Sequence, residues 1–196
     1  DELIRVKLTD GNTDVFIGTH LGKMIRFSET DVRPLGRVSR GVRGITLRDG
    51  DYVVGMSATH GEGKLLIVSE NGYGKKTELD EYKVQARGGQ GTTSYRISDE
   101  TGAIAGFNTV TPDDDIILIT SEGVIIRINT EDISTLKRVT KGVRLMRLGD
   151  GVKIVSVARV QREDENPEDS EAADNDGGET TGESDGKADI TAENEE

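Results

Sequence analysis

The stretch Gln85-Ala86-Arg87-Gly88-Gly89-Gln90-Gly91 is a polar, glycine-rich loop that belongs to a repeat. A related loop precedes it as Arg37-Val38-Ser39-Arg40-Gly41-Val42-Arg43, and another follows it as Arg138-Val139-Thr140-Lys141-Gly142-Val143-Arg144. Gly41, Gly91 and Gly142 are separated by 50 and 51 residues. A repeat of this length is enough for one small sheet, and such periods are typical of propeller-like arrays.

The sequence around these loops consists of short strands. Apolar and β-branched runs alternate with Gly, Asp and Asn, which is the pattern of strands joined by tight turns. Gly22, Gly72 and Gly123 lie between the first and second strand of each repeat, where a tight hairpin needs a positive φ. The predicted strands are 15–17, 23–27, 44–47 and 52–56 in the first repeat, 65–68, 75–77, 94–97 and 103–107 in the second, and 116–119, 124–128, 143–146 and 153–157 in the third.

This pattern predicts an all-β fold, a propeller-like array of about three four-stranded blades. The repeats span about 10–59, 60–110 and 111–160 within a folded region at 1–161. Residues 1–9 match residues 51–59, so we expect them to form the last strand of an earlier, absent blade. Propellers close with more than three blades. We therefore expect an open arc that is a piece of a larger disc.

Charge divides the chain into a body and a tail. Residues 163–196 contain 15 Asp and Glu and one Lys, a net charge of −14, whereas residues 1–162 carry +2. The acidic region has almost no large apolar side chain and cannot bury enough surface to offset the entropy of ordering its backbone. We therefore predict a disordered acidic tail at 162–196.

The sequence lacks the residues that several classes of function require. The chain has no Cys, which excludes disulfides, thiolate nucleophiles and Cys-ligated zinc. No apolar run approaches the roughly 20 residues of a membrane helix, so no membrane partner is expected. His20 and His60 lie in turns, and Asp113-Asp114-Asp115 follows Pro112 as an acidic turn. The sequence predicts no catalytic residue, metal site or cofactor in this part of the protein.

Cations recur on every repeat, and an array that presents them at each step suits an extended polyanion such as double-stranded DNA. Gly88 and Gly89 could let backbone N–H groups approach a phosphate. A solvated surface and ordinary turn glycines are the alternatives for these residues, and the sequence leaves them open. The predicted DNA-binding residues are Arg26, Arg37, Arg40 and Arg43 in the first repeat, Lys75, Lys76, Lys83, Arg87, Gly88 and Gly89 in the second, and Arg127, Lys137, Arg138, Lys141 and Arg144 in the third.

The chain resembles the C-terminal domain of the A subunit of bacterial DNA gyrase over nearly all of residues 1–160. The stretches that carry the resemblance are Asp31-Val32-Arg33-Pro34-Leu35-Gly36-Arg37, Gly41-Val42-Arg43-Gly44-Ile45, Asn71-Gly72-Tyr73-Gly74-Lys75-Lys76-Thr77 and residues 79–91. Ala86 and Gln90 depart from the family's gyrase-defining box, which has Arg and Lys at these places. That box is therefore expected upstream of this sequence.

The resemblance implies a β-pinwheel that wraps DNA around a basic rim. It also implies a bacterial, cytoplasmic and nucleoid-associated type II topoisomerase as the parent, which uses ATP and Mg²⁺ in regions that this chain does not contain. The partners it implies are double-stranded DNA and, in a gyrase heterotetramer, the rest of the A subunit of gyrase together with its B subunit.

Other interpretations of the sequence remain open. The matching domain of topoisomerase IV would bend DNA without the defining box. A propeller-like scaffold would bind a protein, although the chain has no Trp and so lacks the Trp-Asp signature of common scaffold repeats. A propeller enzyme would need convergent acids or histidines that the sequence does not offer. For the tail, we hypothesise competition with DNA for the basic rim, with a solubilising role as the alternative.

Overall fold

The computed structural model describes residues 2–162, whose regular secondary structure is almost entirely short antiparallel strands joined by turns and long loops. Three-residue 3₁₀ helices follow the second strand of each repeat, at Glu29–Asp31, Leu79–Glu81 and Thr130–Asp132. The strands are β1 (Asp14–Thr19), β2 (Lys23–Ser28), β3 (Val53–Thr59), β4 (Lys64–Ser69), β5 (Tyr73–Glu78), β6 (Thr92–Thr93), β7 (Ile104–Val110), β8 (Asp114–Thr120), β9 (Ile125–Asn129), β10 (Val143–Arg144) and β11 (Ile154–Gln161).

Each repeat contributes one sheet, called a blade here. The strand orders are β3-β1-β2-β6, β10-β5-β4-β7 and β11-β8-β9. The hairpins between the first two strands turn at Gly22, Gly72 and Gly123, whose φ values are 82°, 80° and 82°. The predicted positive φ at these glycines is confirmed, and so is the all-β fold class.

The fourth strand of a blade comes from the following repeat. In the first blade, Lys23 and Met24 of β2 pair with Thr93 and Thr92 of β6. In the second blade, β5 pairs in the same way with β10. The sequence pattern predicted these strands at 94–97 and 143–146, each paired within its own repeat. The structure instead has the two-residue strands β6 and β10, and each of them pairs with the preceding blade. This exchange of strands ties successive blades together.

The same exchange explains the two ends of the array. Residues 44–47 form no strand, because the described residues contain no preceding blade for them to join. The third blade has three strands, because no described segment pairs with the outer edge of β9. Residues 2–9 also form no strand and are exposed, as is expected of a strand whose own blade is not among the described residues. That segment pairs with none of the described sheets.

Apolar side chains fill the spaces between the blades. One cluster joins the first and second blades through Phe16, Met24, Leu65 and Phe107. A second cluster joins the second and third blades through side chains that include Leu66, Val68, Ile116 and Leu118. The residues of β4 from Leu65 to Val68 have no exposed surface, as expected of a continuous apolar strand between two blades.

The predicted acidic tail lies outside the described residues, except for Arg162. The backbone N–H of Arg162 donates to the carbonyl of Asp113, and its guanidinium lies 3.4 Å from the carboxylate of Asp115. Arg162 therefore belongs with the third blade. Between residues 2 and 162, no helix has the length and apolar character needed to cross a membrane.

Candidate nucleic-acid interface

Three long loops carry much of the positive charge of the body. They are residues 32–48, 82–98 and 133–148, called here the first, second and third basic loops. Together they contain 13 Lys and Arg and no Asp or Glu. The acidic residues of the body lie instead in the 3₁₀ helices, the strands and the other turns. The loops are therefore separated from the acids along the chain.

The three basic loops contact one another in sequence order. The first and second are joined by backbone hydrogen bonds from Gly88 N to Gly44 O (2.6 Å) and from Thr46 N to Gly89 O (2.8 Å). The second and third are joined by a parallel bridge between Tyr95 and Thr140. The loops therefore form one continuous basic surface across the three blades.

Five of the predicted cations are exposed on this surface. Their side chains have no hydrogen bond or ion pair with any residue in the part of the chain that the structure describes, and they are available to a ligand. They are Arg37, Arg40 and Arg43 in the first loop, Lys83 in the second and Lys137 in the third. The same loops hold four further exposed arginines that were not predicted from the sequence, Arg33, Arg48, Arg96 and Arg147. The absence of acids throughout 32–48, 82–98 and 133–148 was the signal that could have found them.

The arginine that recurs in each loop forms hydrogen bonds to the preceding blade wherever such a blade is described. Arg87 Nε donates to the carbonyl of Asp31 (2.9 Å) and Arg87 Nη1 to that of Arg43 (3.1 Å). The equivalent Arg138 donates from Nη1 to the carbonyl of Glu81 (3.4 Å), one blade back. Arg37 occupies the same place in the first blade, which has no described blade before it. Recurrence at this position therefore follows from blade packing as well as from any ligand.

A second recurring cation joins each blade to the next one. Arg26 forms an ion pair with Asp14 (2.6 Å) and donates from Nη1 to the carbonyl of Leu79 (2.7 Å). One repeat later, Lys76 Nζ donates to the carbonyl of Thr130 (2.6 Å). These side chains lie between the blades, which gives them a structural role and removes them from the exposed set. Arg127, at the same position in the last described blade, pairs with Asp115 at 2.7 Å, and its side chain is 57% exposed.

Lys75 is buried, with no exposed surface. Its ammonium donates to the carbonyls of Ser94 (3.0 Å), Lys137 (2.8 Å) and Arg138. Burial lowers the pKa of Lys75 to about 8, an effect that the Glu81 carboxylate opposes and Arg138 reinforces. Because this group has no surface to offer a phosphate, Lys75 leaves the set of candidate contacts.

Lys141 and Arg144 lie beside an acid. Lys141 forms an ion pair with Glu100 at 2.9 Å. Tyr73 donates its hydroxyl proton to Glu100 (2.7 Å) and accepts a hydrogen bond from Arg144 Nη2 (2.5 Å). Hydrogen bonds from Lys141 and Tyr73 lower the pKa of Glu100. Both cations are exposed, but a phosphate would have to compete with this carboxylate.

The two glycines predicted to contact phosphate differ in their surroundings. Gly88 has a φ of +81°, and its N–H already donates to Gly44 O. That N–H is therefore not free to bind an anion. The carbonyl of Gly89 accepts from Thr46 N, and the N–H of Gly89 forms no hydrogen bond with another described residue.

The two histidines contact neighbouring side chains within the described range. His20 stacks on Tyr52 with ring centroids 4.4 Å apart, and exposed His60 lies 3.8 Å from Asp10. In the described range, no group of three or more His, Asp or Glu side chains is placed to hold a metal ion.

Comparisons with known proteins agree with this geometry. The model of the DNA gyrase C-terminal domain, β-propeller, family matches residues 13–60, 63–111 and 114–161. The DNA gyrase A subunit of Staphylococcus epidermidis is 49% identical over 168 residues, which are 85% of this chain and 19% of that protein. The DNA gyrase A subunit of Staphylococcus aureus is 46% identical over 176 residues, 88% of this chain and 20% of that protein.

Solved structures give the same picture. The C-terminal domain of DNA topoisomerase IV superimposes with a TM-score of 0.77 at 30% identity, over 82% of this chain and 50% of that one. The DNA gyrase A C-terminal domain superimposes with a TM-score of 0.70 at 32% identity, over 76% of this chain and 50% of that one. The chain thus spans about a fifth of the length of the gyrase proteins that it matches.

Proposed function

Because the chain belongs to the DNA gyrase C-terminal domain family, we propose that its three blades bind and wrap double-stranded DNA for a gyrase A subunit. Wrapping would set the hand of the crossing between two duplex segments. The parent enzyme then passes one of these segments through the other. In this way the blades would support ATP-dependent negative supercoiling, which is the work of the whole enzyme.

The observation that carries the proposal is the continuous surface of the three basic loops. Exposed Arg37, Arg40, Arg43, Lys83 and Lys137 lie on neighbouring loops that hydrogen bonds hold together. A row of cations along successive blades allows phosphates to be neutralised at regular steps, which offsets the cost of bending the duplex. The described fold has no long helix for a major groove, so binding should depend little on sequence.

The identities favour gyrase over topoisomerase IV as the parent. The curated relatives at 46–49% identity are gyrase A proteins, whereas the topoisomerase IV domain, which superimposes well, is 30% identical. We further propose the context that this family implies: a bacterial cytoplasmic enzyme in which the blades adjoin the rest of the A subunit of gyrase, together with its B subunit. ATP and Mg²⁺ would act in regions outside this chain.

Binding of the full chain to a fluorescent linear duplex across a salt series tests the proposal. We expect an affinity that falls steeply with salt, with a log–log slope of about −0.9 per phosphate neutralised. Replacing Arg37, Arg40 and Arg43 with Gln should weaken binding at least about tenfold at moderate salt and make the slope shallower by about 2 to 3.

A matched triple variant distinguishes the effect of the basic surface on DNA binding from the effect of net charge. Lys64, Lys153 and Arg159 lie outside the three loops, are 37%, 54% and 45% exposed, and pair with acids. Their replacement with Gln removes the same charge but should change the slope by less than about 1. Equal losses in the two triple variants would refute a specific surface. A wild-type chain that does not bind at low salt would refute DNA binding and leave the protein scaffold as the better account.

A further inference from the structure

Lys75 occupies a strand position that holds isoleucine in the other two repeats. Counted by the repeat interval, Ile25, Lys75 and Ile126 are equivalent. Ile25 and Lys75 both have no exposed surface. Burying an ammonium is costly unless hydrogen bonds replace its water shell. The second blade therefore carries a charge where packing alone would call for an apolar side chain.

The partners of Lys75 are all backbone carbonyls of the basic loops. Ser94 O, at 3.0 Å, belongs to the second loop, whereas Lys137 O, at 2.8 Å, and Arg138 O belong to the third. All three ammonium protons are used, and the Tyr95 ring lies 5.5 Å from Nζ. No carboxylate in residues 2–162 lies within ion-pair distance of it. Lys75 thus bonds to backbone that carries exposed cations.

We propose that Lys75 is a positioning residue that fixes the third basic loop against the second, so that the cations of both loops meet one DNA backbone in register. The inference rests on the proposed function. Because Lys75 holds the peptide units of Lys137 and Arg138, it restricts the backbone from which these side chains leave. Its effect on DNA binding passes through the loop, since Lys75 itself cannot reach a phosphate.

Hydrogen exchange and DNA binding of the full-length Lys75→Met variant test the proposal. The amides of Leu136 and Arg96 donate to Lys76 O and Thr140 O and so hold the third loop in place. They should lose at least about tenfold in protection, whereas those of β4 and β8 should not change. DNA affinity at moderate salt should fall about 5- to 10-fold, and the salt slope should become shallower by about 1 to 2. A general loss of stability would leave the slope of the folded protein unchanged.

The exposed Lys137→Met variant is the matched control. It removes one cation from the same loop, so its slope should become shallower by about 1, while protection of the Leu136 and Arg96 amides should stay as in the wild type. Unchanged protection in Lys75→Met would overturn the positioning role. Lost protection with unchanged DNA affinity and slope would overturn its part in binding. A wild-type chain that does not bind DNA would instead refute the proposed function, and the exchange result would still decide whether Lys75 orders the loop.

A pH series on the wild type needs no variant and covers the case in which Lys75→Met fails to fold. Since burial lowers the pKa of Lys75 to about 8, the ammonium loses its charge and one donor between pH 7 and 9. Glu81 and Arg138 are the charged groups that face it, and buried Tyr82 and Tyr95, with pKa values raised to about 12, stay neutral. Opening of the loop returns Lys75 to water, where its pKa is higher, so loss of the proton favours the closed loop and the protection factors of the Leu136 and Arg96 amides should rise across this range. Constant protection would show that opening of the loop does not release Lys75 and would contradict the proposal.

Discussion

Glu100 lies against the third basic loop, where it would compete with a phosphate for the loop's cations. The carboxylate accepts hydrogen bonds from Lys141 and from the Tyr73 hydroxyl, which in turn accepts one from Arg144. These bonds lower the pKa of Glu100 and keep it ionised at neutral pH. An acid placed here reduces the positive potential that the loop presents to DNA.

Replacing this acid should therefore strengthen DNA binding. In Glu100→Gln, Lys141 loses its ion-pair partner and Arg144 loses a nearby negative charge, so we expect affinity at moderate salt to rise about 2- to 5-fold with a steeper salt slope. The control is Glu122→Gln, which removes an exposed acid that has no polar partner among residues 2–162. If the two variants behave alike, Glu100 acts only through net charge.

The glycines of the basic loops show what the local sequence pattern could predict and what it could not. Gly91 and Gly142 have φ of +67° and +79°, and a Cβ on them would lie 2.6 Å from Met24 O and 2.5 Å from Gly74 O. Their role in turns was predictable from sequence. The close approach to the preceding blade was not, because it depends on a contact 50 residues or more away. Gly41, at the same place, has no neighbour within 4 Å of that position, since no described blade precedes its own.

Between elements, the strand exchange was the feature that sequence could not supply. The repeat interval, the hairpin glycines and the apolar first strands are local patterns, and they predicted the three blades. β6 and β10 are two residues long, and their partners are set by tertiary packing rather than by propensity. The recurring arginine was ambiguous for a related reason. A cation needed between blades and a cation needed by a ligand repeat with the same period.

The recurring arginine gives a prediction about stability. Arg87 donates to the carbonyls of Asp31 and Arg43, so Arg87→Met should lower the free energy of unfolding by about 1–2 kcal/mol, because charged donors to backbone oxygens are lost at a partly exposed site. Arg37→Met removes the equivalent side chain, which has no acceptor in the described residues, and should cost less than about 0.5 kcal/mol.

Urea denaturation followed by far-UV circular dichroism measures both variants. For DNA binding we expect the opposite order, with the larger effect in Arg37→Met. Arg37→Met loses an exposed cation and should make the salt slope shallower by about 1, whichever way stability changes. A large loss of stability in Arg37→Met, or none in Arg87→Met, would show that the hydrogen bonds between blades do not explain the recurrence.

At the scale of the whole molecule, two regions of opposite charge share one chain. Residues 1–162 carry +2 and residues 163–196 carry −14. The body's positive charge is concentrated on the three basic loops, which carry 13 Lys and Arg without an acid. Attraction between an acidic segment and this surface is screened by salt, as the attraction of DNA is. The two would therefore compete most strongly at low ionic strength.

A chain that ends at Arg162 should consequently bind a linear duplex about 3- to 10-fold more tightly than the full chain at low salt. This difference in affinity should become smaller as the salt concentration rises toward about 1 M, where the Debye length is about 3 Å. The control is a full-length chain in which the Asp and Glu of 163–196 are replaced by Asn and Gln. Since competition requires charge and not length, this variant should match the shortened chain. If the shortened chain binds no more tightly at low salt, the acidic segment does not compete with DNA, and its solubilising role becomes the better account.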